Sequence, residues 1–303
     1  MEKIIVICGP TGIGKTLFAI KIAELFNGEI VSADSMQIYK LLNIGTAKPD
    51  SNELKLATHH LIDFMDPKDD FDAGMYVKNA DAAIASIVDR KKTPIVAGGT
   101  GLYIKALLHG LLRSKPLNEK TMSKLYNEHK EKGNFVLHER LSECDPDAAG
   151  SIHPNDSFRT MRALEFFLTN NQKISDWQKQ HNFDDQRYNF IKIGLYMDRE
   201  KLYERINKRV DIMLNQGLLK EVTTLIENGY SLNLKSMQSI GYKHMGMFIN
   251  NTIDWDEAVR LLKRDTRRYA KRQLTWFKKD KQITWVKPSE IVKVNQLIKD
   301  FLT

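Results

Sequence analysis

Eight consecutive residues near the amino terminus, Gly9-Pro10-Thr11-Gly12-Ile13-Gly14-Lys15-Thr16, restrict what this chain can fold into more than any other stretch. The spacing G-x-x-x-x-G-K-[ST] is that of a phosphate-binding loop, which needs a strand before it and a helix after it. Both are present. Ile4-Ile5-Val6-Ile7 is a short β-branched run without polar alternation, as in a parallel strand buried on both faces. Beyond the loop, Leu17, Phe18, Ile20, Ile22, Leu25 and Phe26 recur at helical spacing, and Gly28 is placed to close that helix. The glycines let backbone N–H groups converge on an anion, Lys15 adds a positive charge, and the helix N-terminus favours negative charge. Phosphate contacts are therefore expected from Gly9 through Thr16, with the Thr16 hydroxyl offered to a magnesium ion. The loop does not by itself say which molecule carries the phosphates.

Two more strand ends point to the same place. Glu29-Ile30-Val31-Ser32-Ala33 reads as a second strand and runs into Asp34-Ser35-Met36-Gln37. In open α/β sheets ligands collect beyond the carboxyl ends of the strands, so Asp34 is expected beside the phosphate loop. Its carboxylate has three possible jobs there: metal partner, general base, or helix cap. Thr93-Pro94-Ile95-Val96-Ala97 is a further buried strand opening into Gly98-Gly99-Thr100-Gly101, where adjacent glycines permit close backbone approach and Thr100 is the side chain to touch a ligand. Phe190 to Tyr196 returns to strand character, and the helix after Asp198 carries Arg205 and Arg209 one turn apart. One of these could reach the phosphates, as lid arginines do in phosphoryl chemistry, unless local glutamates hold them.

From about Ser114 to Gln186 the pattern is polar, charged and helical, without a convincing buried strand. An α/β core of residues 1–113 and 187–303 with a helical insertion at 114–186 is the simplest division. Within the insertion, Asp156 or Ser157 can cap a helix on which Arg159 and Arg162 present two guanidiniums from one face. Near the carboxyl end, Arg260, Arg264, Arg267, Lys271 and Lys278 line one helical face opposite Leu262, Tyr269, Trp276 and Phe277. That ridge carries almost no acidic counterweight in the sequence, which suits contact with a phosphate backbone.

The net charge of +8 favours a polyanionic partner. Cys8 and Cys144 are the only cysteines, and their separation fits neither a zinc site nor a disulfide framework. The adjacent pair His59-His60 makes a poor metal site. Met1-Glu2-Lys3 leads directly into a strand, and no apolar run reaches the ~18 residues of a membrane span. A cytoplasmic location without a membrane partner is expected.

From residues alone two functions fit: a nucleotide or small-molecule kinase with the insertion as a lid, or a transferase that joins a diphosphate-activated group to a nucleic acid. Seven ordered stretches resemble one family, the bacterial tRNA dimethylallyltransferases. They are the phosphate loop, Asp34 to Tyr39, Gly45-Thr46-Ala47-Lys48-Pro49, Gly98 to Tyr103, His153-Pro154-Asn155-Asp156, Ile240-Gly241-Tyr242-Lys243, and Thr266 to Phe277. The resemblance implies a P-loop NTPase-like fold and transfer of a dimethylallyl group from dimethylallyl diphosphate to N6 of the adenosine beside a tRNA anticodon, with Mg2+. It implies that the loop holds diphosphate rather than ATP, and a monomer is expected. It assigns Asp34 as general base, Thr100 as substrate contact, Thr16 as the magnesium-side hydroxyl and Arg209 as a diphosphate contact. RNA contacts are implied for Asp34, Ser35, Met36, Gln37, Thr100, Arg159, Arg162, Gly241, Lys243, Lys271, Arg272 and Lys278. Phe158 departs from the family pattern, in which a glutamine before the arginine is common.

Overall fold

The computed structural model describes residues 1–111, 118–181 and 186–303. In chain order the elements are β1 (Lys3–Cys8), α1 (Lys15–Leu25), β2 (Gly28–Ala33), α2 (Ser51–Leu56), β3 (His59–His60), α3 (Ala73–Asp89), β4 (Thr93–Gly98) and α4 (Gly101–His109). There follow α5 (Glu119–Cys144), α6 (Pro146–Ser151), α7 (Ser157–Asn170) and α8 (Ile174–His181), then β5 (Asn189–Leu195) and α9 (Arg199–Asn215). The chain finishes with α10 (Leu218–Glu227), α11 (Tyr242–Ile249), α12 (Trp255–Phe277), β6 (Ile283–Val286) and α13 (Ile291–Leu302). Two compact units result: Met1–Gly110 with Gln186–Thr303, and Leu111–Asp185. The boundary expected near Ser114 lies outside the described residues.

The larger unit is built on one parallel sheet in the order β3-β2-β4-β1-β5-β6. Side chains alternate across a strand, so each apolar strand feeds two cores. Ile4, Val6, Val31 and Val96 pack on one face with Tyr76, Ile84 and Leu107. Ile5, Ile7, Ile30 and Ile95 pack on the other with Phe18, Ile22 and Ile298. Cys8 is level with both Gly98 and Gly194, and Gly98 is level with Ala33. Four neighbouring strands therefore end flush, and the loops after them share one edge. The smaller unit has its own core of Leu125, Leu137, Leu141, Met161 and Leu164, with α5 kinked where Gly133 takes φ 79°.

The chain leaves and re-enters the larger unit at one spot. Arg187 donates its backbone N–H to the Leu108 carbonyl (2.9 Å) and its guanidinium to the Leu107 carbonyl and Asp81.

The sequence misplaced some details. Gly28 does not close α1: Asn27 takes the left-handed turn (φ 46°), and Gly28 opens β2, where a Cβ would lie 2.5 Å from Ile95 Cδ1. Leu17 and Leu25 share the apolar spacing of α1 but stay exposed. The strands at His59–His60 and Ile283–Val286 and the helix α13 have no counterpart in the sequence reading. Two and four residues at the sheet edges are too short to show a period.

His60 has a structural partner. Its Nε2 lies 2.6 Å from buried Glu29, which Arg90 (2.6 Å) and Lys92 (2.8 Å) also contact. Burial pushes the Glu29 carboxyl up, but its bonds to Lys92, His60 and Arg90 outweigh that and hold it near about 2. A depressed carboxylate stabilises the fold above its unfolded pKa, and the contribution fades as pH falls from about 4.5 towards about 2. Glu29→Gln is expected to cost about 1–3 kcal/mol at neutral pH, less than a fully buried pair because the three partner side chains stay partly wetted. Urea midpoints of wild type and variant should differ near neutrality and converge in acid.

Candidate active site

The cleft at the flush strand ends has a volume of about 820 Å³ and is lined by Thr11, Gly12, Gly14, Lys15, Thr16, Asp34 and residues of the 43–50 loop, α9 and α12. Gly12 and Gly14 adopt φ 80° and 98°, left-handed values that side chains resist, and Gly14 sets the start of α1. Ile13 is fully buried instead, and Gly9 and Pro10 do not line the cleft. Lys15 donates to the Pro10 carbonyl (2.9 Å). Burial pulls its ammonium down to about 8, with Arg209 pulling the same way and Asp34 opposing. Arg205 and Arg209 of α9 both meet the phosphate loop rather than local glutamates: Arg205 Nε donates to the Gly12 carbonyl (3.1 Å), and Arg209 Nη1 to Thr11 Oγ1 (3.4 Å).

Asp34 holds a turn and caps no helix. Its Oδ1 accepts from the backbone N–H of Met36 (2.8 Å) and Gln37 (3.2 Å), which fixes the turn after β2. No hydrogen bond reaches Oδ2 among the described residues, and the carboxylate lines the cleft. Thr100 Oγ1 accepts from the Ser35 N–H (3.1 Å), joining the β2 and β4 loops. Tyr269 stands beside the Thr100 and Gln273 side chains, which pull its phenol down. Burial, with Asp34 nearby, pushes that phenol up to about 12, so it stays protonated. Cys8, beneath the loop, is also held inert: burial pushes its thiol up to about 12.

Sequence reasoning missed the residue that ties these loops together. Gln273 accepts from the Thr11 N–H (2.8 Å) and donates to the Gly99 carbonyl (2.9 Å). The usable signal was Tyr269 and Gln273 at (i, i+4), two polar groups on one turn of an otherwise packed face. A second tie was missed as well. Glu221 accepts from the N–H groups of Asn43, Ile44 and Gly45 and from the Tyr242 hydroxyl (2.6 Å), which fixes the loop that Gln37 also grips through the Thr46 and Ala47 carbonyls. Lys48 is held by the Tyr39 carbonyl and Asp63, so it is a structural lysine of that loop.

The basic helix differs from its sequence pattern. Acidic partners come from Glu257 to Arg260 (2.6 Å), from Asp265 to Arg264 (2.9 Å), Lys243 (3.6 Å) and His244 (3.1 Å), and from Asp211 to Lys263 (2.6 Å). Most of that counterweight sits on α12 itself, beside the ridge rather than on it, and Asp211 of α9 adds a partner for Lys263. Arg267 donates to Asn207 (2.6 Å). Lys271, Arg272 and Lys278 remain exposed and form no ion pair among the described residues. Trp276, expected to pack, is also exposed, against Gly101. Gly241 takes φ 101° at the start of α11.

In the smaller unit, Asp156 caps α7 through the Arg159 N–H (3.1 Å) and pairs with the Arg159 guanidinium (2.7 Å), which stays largely exposed. Arg162 turns inward to the buried carboxylate of Glu165. The two guanidiniums are therefore not presented together, because a buried acid requires one of them.

The IPP transferase family model matches residues 37–280. The chain is 48% identical to the tRNA dimethylallyltransferase of Desulfosudis oleivorans over 99% of its own length and 96% of that protein. Among solved structures, it resembles the tRNA delta(2)-isopentenylpyrophosphate transferase of Staphylococcus epidermidis, at 41% identity, 99% and 100% coverage and a TM-score of 0.72. It also resembles a eukaryotic dimethylallyltransferase acting on tRNA, at 30% identity, with 95% of this chain and 74% of that one covered and a TM-score of 0.77.

Proposed function

The chain belongs to the IPP transferase family, and from that premise we propose that it transfers the dimethylallyl group of dimethylallyl diphosphate to N6 of the adenosine beside a tRNA anticodon, releasing diphosphate. The observation that carries this reading is one cleft holding a phosphate loop with Lys15 and Arg209, a carboxylate with one oxygen left open, and an apolar wall. Leu17, Leu54, Ile212 and Met213 supply that wall, which suits a short hydrocarbon.

An exocyclic adenine amine is a poor nucleophile because its lone pair is delocalised into the ring. Asp34 Oδ2 takes its proton as the new C–N bond forms, assistance worth typically ~10²- to 10⁴-fold. The allylic C–O bond breaks, and charge gathers on the departing diphosphate, where loop N–H groups, Lys15 and Arg209 stabilise it. The donor set suits Mg2+, a hard cation that keeps most of its waters and asks little of the protein. The Thr16 hydroxyl would hold it together with the substrate's own phosphate oxygens, and the bound ion would neutralise leaving-group charge.

For the RNA, Lys271, Arg272 and Lys278 offer phosphate contacts on α12 and Arg159 offers one on α7. An adenosine that attacks through N6 must lie outside the base stack, which an anticodon loop permits. Among the described residues no helix is long and apolar enough to cross a membrane, and we take the enzyme to work as a cytoplasmic monomer.

Incubation with labelled dimethylallyl diphosphate, Mg2+ and unmodified tRNA should place label in adenosine. Unlabelled RNA, with phosphoryl transfer from ATP to a small acceptor, would establish the kinase reading instead.

A further inference from the structure

We propose that Gln273 is a positioning residue for the transfer, tying the phosphate loop to the Gly99 loop and so setting where the diphosphate sits relative to Thr100. The inference rests on the prenyl-transfer reading above.

Gln273 lies 262 residues from Thr11 and 174 from Gly99, yet its one amide group joins both. The oxygen accepts an N–H and the nitrogen donates to a carbonyl. An amide meets both demands without charge from two separate atoms, whereas an ionised glutamate cannot donate and a lysine or arginine cannot accept. Gln273 is 7% exposed, so neither bond is easily replaced by water.

The opposite wall is shaped to receive it. A Cβ on Gly99 would lie 2.3 Å from Gln273 Nε2, so only glycine lets the amide arrive. One turn earlier, Tyr269 stands beside Thr100 and Gln273 itself. Helix α12 thus presents two residues, four apart, to two different strand-end loops.

The geometry has a direct consequence for anion binding. The Thr11 N–H is committed to Gln273, so the anion is left to later amides of the loop, whose direction depends on where Thr11 is held. Glycine-rich loops have little stiffness of their own. A brace from outside the loop supplies it, and misplacement of a reacting group by about 1 Å can cost about 10²-fold in rate.

The test uses the full chain and titrates inorganic pyrophosphate alongside steady-state transfer. Gln273→Met keeps the side chain's length and removes both bonds. It should weaken pyrophosphate binding by about tenfold and raise the KM for dimethylallyl diphosphate in parallel. The KM for tRNA should stay within about threefold, a split that general loosening of the fold would not produce. Gly99→Ala reaches the same contact from the other side and should show the same split, which keeps the measurement available if Gln273→Met fails to fold.

In a Gln273→Ala background, Gly99→Ala should add little, because the contact is already gone. Wild-type pyrophosphate affinity in Gln273→Met, or full additivity of Gly99→Ala with Gln273→Ala, overturns the proposal. If wild type binds pyrophosphate but never labels tRNA, the prenyl-transfer reading fails, a result distinct from failure of the brace.

Discussion

Asp34→Asn is expected to lower transfer by about 10²- to 10⁴-fold while leaving tRNA binding close to wild type. Asparagine is the informative replacement because its Oδ1 can still accept from the Met36 and Gln37 N–H groups, so the turn after β2 survives. What disappears is the second anionic oxygen in the cleft. Single-turnover rates and a filter-binding isotherm for unmodified tRNA separate the two effects. Turnover retained at the wild-type rate would remove Asp34 as the base, and tRNA affinity lost in proportion to rate would make it a binding residue only.

Lys15→Met should reduce transfer by about 10²- to 10³-fold, the range found when one donor to a developing anion is deleted. The loss should appear in pyrophosphate affinity as well as in rate, since the ammonium meets charge in both substrate and product. Because burial pulls the free-state ammonium down to about 8, the charged form is the main one at neutrality and fades above that pH. Pyrophosphate affinity should therefore fall as pH rises through about 8, by up to about tenfold per unit until the bound-state pKa is reached. The slope attributable to Lys15 should be absent from Lys15→Met. Calorimetric titrations at a series of pH values, wild type against variant, make the comparison with any titration of the anion itself cancelled.

The elements that bear on these predictions were legible because each was announced by strong local chemistry. A glycine-rich loop between a β-branched run and an amphipathic helix has few alternatives, and Asp34 and Thr100 follow strands apolar enough to recognise. Arg209 was visible as a cation one turn from another after a strand. The rest depended on contacts between distant parts of the chain. Nothing in the stretch around Gln273 says that its amide meets Thr11 and Gly99, and nothing near Glu221 says that three successive N–H groups of the 43–45 loop close on it. Charge patterning misled in another way: Glu257 and Asp265 stand beside the ridge of α12 rather than on it, and Arg162 looked free because the burial of Glu165 cannot be read from spacing.

The closing bonds between Leu107, Leu108 and Arg187 bear on how this protein can change over evolutionary time. Since the larger unit seals its own chain break at that seam, the intervening helices are a detour whose length adds only logarithmically to the entropy of closing it. Substitutions, insertions or deletions there need not disturb the parallel sheet or the chemistry at its edge. The intervening helices can therefore diverge while the strand-end loops and the groups they carry stay as they are.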